Sequence, residues 1–258
     1  MNAGTQRRFE GRVTVVTGAA GALGRACAAS LANEGAKLVL FDRDPNGLAE
    51  TAAICPGSET VVGDVRYAAD VKRAAEAARE RFGPVESLVA AAGIAGPSKK
   101  AIEVEEDEFD LLFDVNVKGS WLAAKYLIPQ MRELGRGSVV LFSSAAGLRG
   151  SPVLSVYSAT KGAVTLLTKS LALNHATENI RVNCVCPGTI ESPMVRLSIA
   201  DAGDATAQSA REDLQKSMHP MQRFGLPSEV VGAVLYLLSD EASFTTGVAL
   251  PIDGGRLA

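Results

Sequence analysis

From residue 12 onward, short apolar runs rich in β-branched residues alternate with longer stretches in which apolar residues recur at helical spacing. The runs RVTVVTG (12–18), AKLVLFD (36–42), ETVVGD (59–64), ESLVAAAG (86–93), GSVVLFSS (137–144), IRVNCVCPG (180–188) and GVALPIDGG (247–255) read as seven strands. Between them, 22–35, 70–83, 108–135, 156–178 and 227–243 read as helices, several ending near a glycine suited to a C-cap. Strands that are apolar on both faces and separated by helices predict an α/β fold, a doubly wound, seven-stranded parallel sheet with helices on both sides.

No linker, charge block or repeat breaks the alternation, so 1–258 reads as a single domain. One segment, about 189–227, is long, holds two short amphipathic pieces and lacks a strand. It follows the carboxyl end of a strand, where ligands of open α/β sheets bind, and is read as a lid over the substrate.

Composition narrows the function classes. The chain has 258 residues, 47% hydrophobic, enough for a sizeable core. With a net charge of −3, scattered basic residues and 5% aromatics, no nucleic-acid footprint or basic membrane face is apparent, and the expected partner is a small molecule. The opening MNAGTQRRFEGR lacks an apolar leader core, and no uninterrupted apolar run is long enough for a membrane span, so a cytoplasmic location is expected. Cys184 and Cys186, one residue apart within a strand, are read as pointing to opposite faces, unsuited to a disulfide or a metal clamp. Cys27 and Cys55 are the other cysteines; with only His175 and His219 as histidines, no metal site is expected.

The first strand, its turn and the next helix carry candidate chemistry. Gly18 and Gly24 allow a tight turn and close backbone approach, and a helix starting near Ala22 offers free N–H groups to a pyrophosphate. Asp42 stands 24 residues beyond Gly18 (42 − 18 = 24), where a carboxylate accepts hydrogen bonds from both adenosine ribose hydroxyls. A 2′-phosphate would meet that charge, so NAD(H) is favoured over NADP(H), although Arg43 follows as a possible phosphate partner. Arg25, on the helix, is read as solvent-facing.

Tyr157 and Lys161, four apart on a helix, share a face. A free tyrosine, with a pKa of about 10, is a poor base at neutral pH, and a fixed cation lowers that value. Ser144 closes a strand 13 residues upstream (157 − 144 = 13), placed to hydrogen-bond a reacting oxygen, whereas Ser143 is read as structural. Asn116 is either an interior hydrogen-bonding amide or a site residue.

The set TGAAGALG (17–24), GDV (63–65), NVKG (116–119), Ser144, YSATK (157–161), PGTIESPM (187–194) and DGG (253–255) resembles the short-chain dehydrogenase/reductase family over nearly the whole chain from about residue 9. The resemblance implies a Rossmann fold and an oxidoreductase of secondary alcohols and ketones. It implies Tyr157 as general acid/base, Lys161 as the nicotinamide-ribose ligand that lowers the tyrosine pKa, Ser144 as the group that polarises substrate, and Asn116 as holder of a relay water. The implied cofactor contacts are Gly18, Gly21, Leu23, Gly24, Asp42, Arg43, Asp64, Val65, Ala92, Gly93, Tyr157, Lys161, Pro187, Gly188, Ile190, Ser192 and Met194, with Thr189 beside them. The substrate is expected against Ser144, Ala145, Arg149, Leu154, Tyr157 and Met194, a largely apolar lining that suits a hydrophobic or cyclic skeleton. A homotetramer, or else a dimer, built across the helices of 105–133 and 156–178, is also implied.

Two departures stand out. The family's middle turn glycine is Ala22 here, with Gly21 one place earlier, and its Asn-Asn-Ala-Gly is AAAG at 90–93, which threatens an unpaired backbone group. Two other functions stay open: an NADPH-dependent 3-oxoacyl-carrier-protein-type reductase, which Asp42 disfavours, and a catalytically idle nucleotide-binding regulator, which the intact Asn116, Ser144, Tyr157 and Lys161 set disfavours.

Overall fold

The computed structural model describes residues 7–258, with every side chain except that of Met194, so the Met194 assignments lie outside the described residues. Strands β1 (Val13–Thr17), β2 (Lys37–Asp42), β3 (Glu59–Val62), β4 (Ser87–Ala90), β5 (Gly137–Phe142), β6 (Ile180–Pro187) and β7 (Ala249–Ile252) form one sheet. Every pairing is parallel, and the spatial order is β3-β2-β1-β4-β5-β6-β7. The order reverses between β1 and β4, which opens a crevice at the carboxyl ends of the strands.

Helices α1 (Ala22–Asn33), α2 (Pro45–Ile54), α3 (Ala68–Phe82), α4 (Glu106–Phe113), α5 (Gly119–Leu134), α6 (Ser155–His175), α7 (Pro193–Ala200), α8 (Ala205–Ser217) and α9 (Pro227–Leu238) surround the sheet. Alternation along the strands divides the core in two. Val15, Leu88, Val139, Val182 and Cys184 join α3, α5 and α6 on one face, while Val16, Leu40, Val89, Val140 and Val185 join α1 and α9 on the other. Each such fully buried side chain contributes roughly 1.5–3 kcal/mol, which is why both faces of every inner strand read as apolar.

Three expectations change. Cys184 and Cys186 belong to one core face and Val185 to the other, because strand side chains repeat every two residues; the two buried thiols therefore share a face. Helix α2 escapes the hydrophobic pattern because it buries little beyond Leu48; its real signal is the Asp44-Pro45 start, where the Asp44 carboxylate accepts from the Asn46 N–H at 3.0 Å. The helix expected over 108–135 is instead α4 and α5 joined by a π-turn at Asp114–Lys118. At its exit Gly119 lies against Val65, where a Cβ would come within 2.7 Å of Cγ2. Single π-turns inside helices recur at functional sites because they turn a main-chain segment out of register.

The long excursion after β6 carries α7 and α8 and no strand of the sheet. Each helix is locally started: the Ser192 hydroxyl accepts from the Val195 N–H at 3.3 Å, and the Asp204 carboxylate from the Ala207 N–H at 2.9 Å. Among the described residues no helix is long and apolar enough to cross a membrane.

Candidate active site

At the switch between β1 and β4 lies a cavity lined by Gly18, Gly21, Asp42, Arg43, Asp64, Val65, Ala91, Ala92, Gly93 and Ile94, with Gly63 and Val115. Its floor is nearly bare of side chains. Gly18 has φ +69°, and a Cβ there would stand 2.6 Å from the Ala92 nitrogen; a Cβ on Gly24 would stand 2.1 Å from the Gly18 carbonyl oxygen. These contacts weld the turn to β4 and α1, while Gly21 faces open space apart from the Gly18 oxygen at 3.3 Å. Gly21 precedes α1 without a side-chain cap, so the first N–H groups of that helix are free to meet an anion.

Ala22 is the first residue of α1 and does not line the cavity, so the turn absorbs the extra methyl. Leu23 packs its side chain on the core and could serve a dinucleotide only through its main chain. In AAAG the backbone groups find other partners: Ala91 N–H donates to the Thr17 carbonyl at 3.2 Å and Ala92 N–H to the Thr17 hydroxyl at 3.4 Å.

Asp42 is fixed by two main-chain donors, Ala20 N–H at 3.0 Å on one oxygen and Asp44 N–H at 3.1 Å on the other, which leaves lone pairs for hydroxyl donors. Arg43 is exposed on the cavity rim. Arg25, expected in solvent, instead donates to the Thr51 hydroxyl and the Ala20 and Gly47 carbonyls and pairs with Glu50, tying α1 to α2. Burial raises the Asp64 carboxyl, but hydrogen bonds from Arg66 outweigh it and hold the group below its usual range.

The second part of the site forms where β5 meets α6. Gly147 lets the loop after β5 lie on that helix: a Cβ would come within 2.7 Å of the Lys161 carbonyl and 2.5 Å of the Ser143 hydroxyl. Ser143 bonds the Lys161 carbonyl and the Thr165 hydroxyl, each at 2.8 Å, the structural role expected of it. Ser144 is thereby held over the strand end, its hydroxyl accepting from Ala146 N–H at 3.1 Å and lying 3.5 Å from the Pro187 carbonyl.

Tyr157 and Lys161 share a face of α6, with the ammonium 5.7 Å from the ring centroid. Lys161, 5% exposed, donates to the Phe142 carbonyl at 2.8 Å, and burial lowers its pKa to about 8. Burial pushes the Tyr157 phenol up, and the Ser144 hydroxyl, as a hydrogen-bond partner, pulls it part of the way back. In the free protein, loss of water is the larger of the two effects on Tyr157.

Asn116 sits in the π-turn and is fully buried. Its amide clamps Ile94, accepting from that N–H at 2.9 Å and donating to that carbonyl at 3.0 Å, and also donates to the Thr160 hydroxyl at 3.0 Å. The Asn116 oxygen and the Lys161 nitrogen both lie 3.2 Å from the point where a Cβ on Gly93 would stand. Only glycine leaves room for both there.

A family model described as Enoyl-(Acyl carrier protein) reductase, of the short-chain dehydrogenase/reductase type, matches residues 18–256. The chain belongs to the short-chain dehydrogenase/reductase family. It is 37% identical over 256 residues to 2-(S)-hydroxypropyl-CoM dehydrogenase 3 of Xanthobacter autotrophicus, covering 97% of this chain and 98% of that one. Levodione reductase of Leifsonia aquatica is likewise 37% identical, with 97% and 96% covered. Carveol dehydrogenase from Mycobacterium avium, solved in complex with NAD, superposes with a TM-score of 0.92 at 30% identity, covering 97% of this chain and 99% of that one. These short-chain dehydrogenase/reductase relatives are oxidoreductases of alcohols and ketones.

Two neighbours of the site take roles that the sequence did not settle. His219 is buried beside β7, its Nδ1 donating to the Asp253 carbonyl at 2.6 Å and its Nε2 accepting from Thr189 N–H at 3.3 Å. It fixes the loop that carries Pro187 and Gly188, in a second cavity that Gly188, Ile190 and the 251–255 turn also line. Thr160, whose hydroxyl links Asn116 to the Tyr157 carbonyl, had no signal beyond lying inside YSATK.

Proposed function

We propose that the protein is an NAD(H)-dependent oxidoreductase that interconverts a secondary alcohol and its ketone, with Tyr157 as general acid/base. The observation that carries this reading is the convergence of Ser144, Tyr157, Lys161 and Asn116 at the same strand ends as the Asp42 cavity. The cavity fits a dinucleotide: its floor is glycine and alanine, a helix N-terminus is open, and a fixed carboxylate stands where ribose hydroxyls need acceptors. The dinucleotide, when bound, supplies the hydride donor or acceptor.

The chain's own groups supply position and protons. Ser144 orients the substrate oxygen and donates a hydrogen bond as negative charge grows on it. Tyr157 takes the hydroxyl proton in oxidation and returns it in reduction. Lys161 stabilises the phenolate and passes the proton outward to a relay water that Asn116 holds. Asp42 binds the adenosine ribose and repels a 2′-phosphate. Pro187, Gly188, Ile190 and Ser192 line the nicotinamide end, and the segment 189–227 closes over substrate. Ala145 and Leu154, close in sequence to Ser144 and Tyr157, give the substrate apolar neighbours, which suits a hydrophobic or cyclic skeleton.

Among the described residues that line the cavity, Arg43 on the rim is the one basic side chain, and Asp42 stands beside it, which weighs against the carrier-protein reductase reading. Thr17's satisfaction of the AAAG backbone removes the main support for an idle regulator. Replacing Tyr157 by Phe tests the assignment: alcohol-dependent NADH formation should fall by about 100-fold or more. Retention of wild-type turnover would show the acid/base lies elsewhere.

A further inference from the structure

Eight buried side-chain polar atoms among the described residues have no hydrogen-bond partner, and four of them belong to Arg211, Gln215, Asp253 and Arg256. Two of the four are donors, the Nε of Arg211 and of Arg256, and unpaired buried donors point to a missing acceptor, since buried polar groups are nearly always paired. Arg211, Gln215 and Met218 stand at i, i+4 and i+7 along α8 and its C-cap, on one face. Arg256, four residues beyond β7, donates to the Met218 sulfur at 3.4 Å, which brings the C-terminal tail to that face. A thioether is a weak acceptor, so the donors of this guanidinium are left almost unmatched.

Arg149 brings a second positive charge near Arg256. It lies five residues past Ser144 on the loop after β5, and its one hydrogen bond is to the adjacent Gly150 carbonyl at 3.5 Å. Burial lowers the pKa of Arg256, and the nearby positive charge of Arg149 lowers it further. Arg211 has a single bond, to the Ser198 hydroxyl of α7 at 3.3 Å. Among the described residues, none of these three arginines has an acidic partner at ion-pair distance, although most other arginines do. Asp253, the nearest acid, turns one oxygen to the Gly255 N–H at 3.0 Å.

The Asp253 carboxylate offsets only part of the repulsion between Arg149 and Arg256, and guanidinium groups lose hydration as they are covered. A planar oxyanion relieves both costs, because the arginine fork matches its geometry. We propose that Arg149, Arg211 and Arg256 form an anion subsite of the substrate cleft, taking a carboxylate, sulfonate or phosphate carried by the alcohol at the end remote from its carbinol. The inference rests on the reading of Ser144 and Tyr157 as the carbinol site; it makes the substrate an apolar skeleton with one charged end.

The test compares secondary alcohols of one carbon chain ending in a carboxylate or in its methyl ester, with sulfonate- and phosphate-ended analogues, using NAD. The wild type should favour an ionised alcohol over the ester by about tenfold or more in kcat/KM. Arg149→Gln, at an exposed position where folding is safe, and Arg256→Gln should each shrink that ratio, chiefly through KM, while Lys72→Gln on the far surface leaves it unchanged. In parallel, inorganic sulfate at constant ionic strength should raise the Tm of the wild type more than that of Arg256→Gln.

Equal turnover of ester and ionised alcohols, with a ratio that neither arginine variant moves, overturns the subsite and leaves the dehydrogenase reading standing. A wild type inactive on every alcohol but showing the Arg256-dependent sulfate shift overturns that reading and supports the anion site. Equal sulfate shifts in wild type and Arg256→Gln count against the subsite.

Discussion

Tyr157 and Lys161 differ in what burial does to them. The phenol is pushed up and the ammonium down to about 8, so the free protein holds both groups closer to neutral than water would. Alcohol oxidation, which needs the phenolate, should accordingly speed up as pH rises, with the acid limb of the kcat/KM profile reporting Tyr157. Ser144→Ala should lower kcat by about 100-fold, the size of one lost oxyanion donor, with little change in Tm. A fall confined to KM would mean that the hydroxyl binds substrate without stabilising the transition state.

The lysine also ties the site to stability. Its folded pKa of about 8 lies below the ordinary 10.5, so its charge opposes folding in full below about pH 8. Between those values the unfolded chain binds the extra proton, and stability rises with pH. The opposing contribution is on the order of 3 kcal/mol. Measured by thermal melts, the wild type should gain on Lys161→Met as pH is raised from about 7 to about 10. A difference that stays constant over that range would show that Lys161 is not carrying this burden.

At the scale of elements, the site depends on where backbones touch. Gly147→Ala would drive a methyl into the Ser143 hydroxyl and the Lys161 carbonyl, so the loop bearing Ser144 must lift from α6. Such overpacking costs about 1–3 kcal/mol. Activity should fall more than stability does, which paired kinetics and melts would show; unchanged kcat would mean that Ser144 is positioned by other contacts.

The strands, α1, α6 and α9 were legible because each buries a periodic apolar set. Helix α2 was not, because its start is written in a cap and its apolar face is small. The break at Asp114–Lys118 was hidden for another reason: the helical period continues across it, and only the fit of Gly119 against Val65 and of Asn116 against Ile94 reveals the turn. Tyr157 and Lys161 were readable from their spacing, whereas the role of His219 required knowing that residues 189 and 253 meet. The error over Cys184 and Cys186 was one of strand periodicity, and β6 corrects it.

For the whole molecule, the two-faced core leaves apolar side chains uncovered on α6, where Leu166 is 65% and Leu173 82% exposed, and Trp121 stands partly exposed on α5. We propose that copies of the chain associate across these helices. Sedimentation should give a dimer or tetramer, and Leu173→Glu should shift it toward monomer; a wild-type monomer at micromolar concentration would rule the association out.

The proposed function has this sheet present one nicotinamide dinucleotide, held by Asp42, to an alcohol held by Ser144 and Tyr157. Its most direct test is the near-ultraviolet absorbance of reduced nicotinamide when the protein meets a panel of secondary alcohols with NAD or with NADP. NADH should form with at least one alcohol, about tenfold or more faster than NADPH, and Asp42→Ala should narrow that preference. A stronger response to NADP, or none to either cofactor across the panel, would rule out an NAD-linked alcohol dehydrogenase.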